Sequence, residues 1–97
     1  MTEIRWSPIK SQQLKKGRGV SFEEIIHAPI IGIDRIKGRK NQKVLLFNYN
    51  DYAWAVPFVI NKDEVFLKTL FPSRKFTKLW KKGKYEKNEA DKNGKGD

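Results

Sequence analysis

Phe66-Leu67-Lys68-Thr69-Leu70-Phe71-Pro72-Ser73-Arg74-Lys75-Phe76-Thr77-Lys78-Leu79-Trp80 is the stretch on which the fold turns. An apolar, strand-like run stops at Pro72, which cannot continue a strand's hydrogen-bond ladder. Ser73 follows with the chemistry of a helix N-cap. The strand over 65–71 therefore hands over to a helix running from Ser73 to about Lys82. Arg74, Lys75 and Lys78 ride on that helix, and on an α-helix Arg74 and Lys78 share a face. A strand that delivers cations onto a helix start presents fixed positive charge where backbone N–H groups also point outward, which suits phosphate.

Upstream, the pattern has period two. Residues 43–49 read as a strand, Asn50-Asp51 as a tight turn and residues 52–60 as its hairpin partner. Pro57 lies inside that second run and predicts an edge position, a bulge or a bend. Residues 61–64 form another turn, and 30–36 a further strand candidate. Before these, Val20-Ser21-Phe22-Glu23-Glu24-Ile25 carries a capping box, Ser21 with Glu24, and a hydrophobic staple, Val20 with Ile25. A helix starts there and stops before Pro29. Ser7-Pro8 starts an earlier helix that ends at Gly17, after a short strand candidate at Ile4-Arg5-Trp6. The expected fold is α+β: a small antiparallel sheet of three to four strands, two N-terminal helices and one C-terminal helix, with the helices on one face.

Ninety-seven residues make one domain, expected over 1–83. Residues 84–97 contain almost no apolar residue and read as a disordered basic tail. Residues 1–80 hold fifteen basic and seven acidic side chains, so +8 of the chain's +10 lies in the domain. That points to a polyanionic partner. There is no cysteine, which excludes disulfides and thiol chemistry. No apolar run reaches the roughly 20 residues of a membrane-spanning helix, and residues 1–5 lack a signal peptide's apolar segment. A cytoplasmic protein with no membrane association is expected. His27 is the only histidine and the acids are scattered over caps and turns, so neither a metal site nor a cofactor is expected. No P-loop, dinucleotide fingerprint or nucleophile elbow is present.

Trp6, Lys10, Gly19-Val20-Ser21-Phe22-Glu23-Glu24 and Ser73-Arg74-Lys75-Phe76-Thr77-Lys78 resemble, in this order, the BrnT-type toxins of bacterial toxin–antitoxin pairs, within the RelE-like ribonuclease superfamily. The resemblance spans residues 4–80. It implies an antiparallel sheet with helices packed on it and metal-independent endoribonucleolytic cleavage that arrests growth. It also implies a cognate antitoxin, expected to be a ribbon-helix-helix protein. Arg74 matches the family's motif arginine, and Arg18 stands where relatives have histidine. The expected catalytic set is Arg74, Lys68, Lys78 and Arg18, with Lys75, Arg39, Lys40 and Lys10 as further RNA-binding cations. Such cations stabilise the charge that collects on a phosphorane when a 2′-hydroxyl attacks its neighbouring phosphate. The general base stays open between His27, a lysine and a tyrosine. The alternative is a non-catalytic nucleic-acid-binding module that uses the same basic face, with Tyr49, Tyr52 and Trp54 as stacking platforms.

Overall fold

Local signals place most elements. In the computed structural model, which describes residues 3–36, 38 and 42–86, the order is β1 (Glu3–Arg5), α1 (Pro8–Arg18), α2 (Phe22–Ile25), β2 (Ile30–Arg35), β3 (Lys43–Asn48), β4 (Ala53–Asn61), β5 (Glu64–Leu67), β6 (Phe71–Pro72) and α3 (Arg74–Lys81). Ser7 caps α1 by accepting from the Lys10 N–H, with Pro8 in the first turn. The helix ends on Gly19, not on Gly17, because Gly19 supplies the left-handed backbone, at φ 82°. Both hydrogen bonds of the Ser21–Glu24 capping box are present. Asn50 and Asp51 both adopt positive φ, and Tyr49 and Tyr52 exchange both backbone hydrogen bonds across them. That is the two-residue hairpin expected between β3 and β4.

The sheet corrects the expectation of three to four antiparallel strands. It has six strands, in the order β1-β5-β4-β3-β2, with β6 also paired to β4. It is mixed, because β1 runs parallel to β5, with Ile4 beside Val65. No local pattern in a three-residue strand reveals a partner 61 residues away.

The expected continuous strand over 65–71 is broken in two. Leu67 faces Phe58 and Phe71 faces Ala55, so four steps along one strand match three along β4. The extra residue is a β-bulge at residues 68–70. Pro57 explains its position. It accepts from the Lys68 N–H at 2.8 Å but has no N–H to return. Pro57 is thus tolerated in a central strand rather than an edge.

The helices also depart from the single-face arrangement. Val56 and Phe58 of β4 pack with Leu14, Phe22 and Ile25 of α1 and α2. Ala53 and Ala55 point the other way, where Phe76 of α3 packs over them. Their small side chains let α3 approach the sheet closely. Alternation along β4 therefore splits the core into two layers, one on each face. This is why Ala53 to Phe58 is apolar without interruption except at its proline.

The expected tail begins at Lys84, yet Tyr85 packs on Gly32 and its hydroxyl donates to Asp34, while Lys84 Nζ reaches the same carboxylate at 3.0 Å. Burial is the largest influence on Asp34 and opposes its ionisation, but the hydrogen bonds from Tyr85, the Arg35 N–H and Lys84 together hold its pKa below the ordinary value. Burial, with the Asp34 carboxylate, pushes the Tyr85 phenol upward. The rest of the expected tail, 87–97, lies outside the described residues. No helix among the described residues is long and apolar enough to cross a membrane.

Candidate nucleic-acid interface

The Ser73-to-Lys78 motif divides cleanly between inside and outside. Ser73 is buried and its Oγ accepts from the Phe76 N–H at 3.1 Å. Thr77 Oγ1 donates to the Ser73 carbonyl at 2.7 Å and accepts from the Ala53 N–H at 2.9 Å, tying the helix start to β4. Phe76 is buried over the sheet. Arg74, Lys75 and Lys78 are all exposed.

The electrostatics of this helix start are unfavourable in isolation. The positive end of a helix dipole favours anions, and each misplaced cation costs about 0.3–1 kcal/mol. The first turn of α3 holds no acid. Ion pairs among the described residues involve Arg5, Lys15, Lys81 and Lys84, and none involves Arg74, Lys75 or Lys78. The N–H groups of Arg74 and Lys75 stand at the helix start, where no intrahelical acceptor exists. A bound anion would satisfy both the side chains and these N–H groups.

Two further candidates lie along the segment that leads into this helix. Lys68 is exposed in the bulge. Arg18, at the end of α1, donates from its Nη1 to the carbonyl of Leu70, which closes the same bulge. The chain from 68 to 74 thus links Lys68, the Arg18 contact and Arg74. Arg18 is given a structural task that sequence spacing did not reveal, because the contact joins residues 52 positions apart.

The remaining expected residues do not join this group. Lys10 sits in the first turn of α1, about 12 Å along the axis from Arg18. Arg39 and Lys40 lie outside the described residues. His27 follows α2, whose Phe22 and Ile25 pack on the sheet face opposite α3. Tyr49 and Trp54 meet edge to face at 6.0 Å and pack against the core, which is the cross-strand role rather than a stacking platform. Among the described residues no three acidic, histidine or cysteine side chains converge.

The Gly19-to-Glu24 motif, by contrast, is a joint. Ser11 is buried, donates to Glu23 and accepts from the Phe22 N–H at 2.9 Å. Trp6 Nε1 donates to the same Glu23 carboxylate at 3.2 Å, and the Trp6 ring lies 5.9 Å from that of Phe22. Lys15 Nζ bridges to Glu24 at 2.8 Å. The Ser11 hydroxyl, first, and then Glu23's own N–H hold the Glu23 pKa below the ordinary value. The Lys15 ammonium, first, and then the Ser21 N–H do the same for Glu24.

Comparison with protein-family models, with curated proteins and with solved structures found no match.

Proposed function

We propose that this chain is the toxin of a toxin–antitoxin pair, a BrnT-type, metal-independent endoribonuclease that acts in the cytoplasm. What supports this reading is the start of α3, where Arg74, Lys75 and Lys78 gather without acidic partners at a capped helix N-terminus. Arg74 binds the scissile phosphate in two-point fashion, as a guanidinium does. Lys68 and Lys78 add charge that stabilises the phosphorane, each contact contributing a few kcal/mol. Arg18 holds the bulge that carries Lys68 and leaves donors for the RNA backbone. Lys75 extends this RNA-binding surface, and Lys10, Arg39 and Lys40 serve as further RNA-binding cations apart from it. A ribbon-helix-helix antitoxin neutralises the protein in the resting cell.

The test is purified protein on end-labelled RNA, with and without ribosomes, beside Arg74→Ala. Cleavage by the wild type and its loss in a folded Arg74→Ala variant supports the reading. One observation favours the second reading, non-catalytic nucleic-acid binding: His27 follows a helix on the sheet face opposite α3. RNA that is bound in a salt-dependent manner but never cut puts that reading first.

A further inference from the structure

The face of the sheet that α1 and α2 cover is only half covered. Beyond them, Ile4, Ile33 and Ile60 are 50%, 58% and 62% exposed, and Ile30 is 63% exposed. With Leu45, Phe58 and Val65 they line an open groove of about 650 Å³. Such a contiguous apolar area on a strongly basic surface marks an interaction site. Register shows how it is laid out. Ile4 stands beside Val65 and Val65 beside Ile60, while Leu45 stands beside Ile33 and faces Val56, four residues back along β4, so the apolar band runs obliquely through Phe58 from β1 to β2. Beside this band, in the row of Phe58, Arg35 and Lys43 stand directly opposite each other on neighbouring strands. Like charges in that position repel. Neither takes part in an ion pair among the described residues, whereas the adjacent Asp34 is engaged with Lys84 and Tyr85.

We propose that this open half of the sheet docks an acidic amphipathic α-helix from a partner protein. A helix fits because the band spans about 19 Å across the strands and about 13 Å along them, a diagonal of about 23 Å that about 15 helical residues cover. Sheet faces are ordinarily covered by helices, and α1 and α2 already do so on the other half of this face. Acidic character follows from the Arg35–Lys43 pair and the net charge of +10. Two other occupants fit less well. Residues 87–97 contain a single apolar residue, Ala90, and cannot fill the groove. A second copy of the chain would set one +10 molecule against another and Arg35 and Lys43 against cations. The proposal does not rest on the ribonuclease reading, because the groove uses none of Arg74, Lys68, Lys78 and Arg18.

The experiment is selection from a displayed library of random peptides of about 18 residues, long enough to cross the sheet as a helix, on the full chain. Parallel selections use Ile33→Asp/Ile60→Asp and Arg35→Glu/Lys43→Glu. All four positions are exposed, and thermal melting checks that each variant folds. The expected winners on the wild type are net acidic, with apolar residues at i, i+3, i+4 and i+7. They bind the apolar-to-acid variant at least about tenfold more weakly, and the charge-reversed variant shifts selection toward basic helices. Should the apolar-to-acid variant not fold, the charge reversal alone decides. No enrichment on the wild type, winners with alternating strand-type patterns, or winners that bind both variants equally would each overturn the proposal. So would a wild-type dimer in light scattering that Ile33→Asp/Ile60→Asp dissolves, since the occupant would then be a second copy.

Discussion

Residues 19–24 and residues 73–78 are both helix starts with a serine cap, but only one of them is self-sufficient. At the first, every polar side chain meets a partner within the chain: Ser21 with Glu24, Glu23 with Ser11 and Trp6, Glu24 with Lys15. At the second, the inward-facing Ser73 and Thr77 are satisfied and the outward-facing cations are not. Acids sit in the first turn of α2 and none in that of α3. A helix start with the wrong charge for its dipole is a cost that folding alone does not require, so it directs attention to function. The two halves of the resembling sequence therefore differ in kind: one builds the scaffold and the other faces outward.

The sharpest way to break this contrast is to exchange the expected consequences. Phe22→Ala, at a fully buried position of the joint, is expected to destabilise by about 3–5 kcal/mol, read by urea unfolding. Arg74→Ala is expected to change stability by no more than about 0.5 kcal/mol yet to lower RNA cleavage at least about a hundredfold. A large stability loss in Arg74→Ala would make the α3 start a second structural joint.

A third, smaller effect concerns the chain beyond α3. Truncation after Lys84, which removes Tyr85, is expected to cost about 1–3 kcal/mol, because it strips the cover from Gly32 and leaves Asp34 without its hydroxyl donor. Truncation after Glu86 is expected to leave the melting temperature unchanged. Equal melting of the two would show that Tyr85 adds nothing to the fold.

The joint should also declare itself in acid. Glu23, Glu24 and Asp34 all have lower pKa values in the fold than their ordinary 4.5, 4.5 and 3.8. Their contribution to stability is therefore complete above about pH 4.5 and is lost as pH falls through the depressed folded values. Urea unfolding between pH 6 and pH 3 measures this, and Glu24→Gln should flatten the acid limb. An unchanged limb would detach the Lys15–Glu24 contact from stability. The smallest change is Lys62→Gly in the β4–β5 turn, where Lys62 holds φ at 57°. Glycine adopts that backbone without strain and is expected to add up to about 1 kcal/mol.

Much of this architecture is legible in the chain because its causes are local. A serine three residues before a glutamate marks a capped start, Asn50-Asp51 tolerates the positive φ of a tight hairpin, and Pro57 announces a disturbed ladder. Arg74 is legible as an outward cation because Ser73, Phe76 and Thr77 claim the inward positions around it. The structural task of Arg18 was not legible, since the Leu70 carbonyl it meets becomes available only when a bulge forms far along the sequence.

What the sequence determined by itself was the set of helices, the hairpin and the excess of positive charge, each set by residues within a few positions of one another. Tertiary structure alone decided the parallel docking of β1 on β5, the division of the helices between two faces and the docking of Tyr85 on β2. It also left Ile4, Ile33 and Ile60 uncovered. The physical reason common to all four is that the deciding contacts join residues far apart in the chain, which no local pattern records, and the isoleucines show it. An isoleucine in a strand has the same local preference whether or not a helix covers it, and only the finite length of α1 and α2 determines where cover ends.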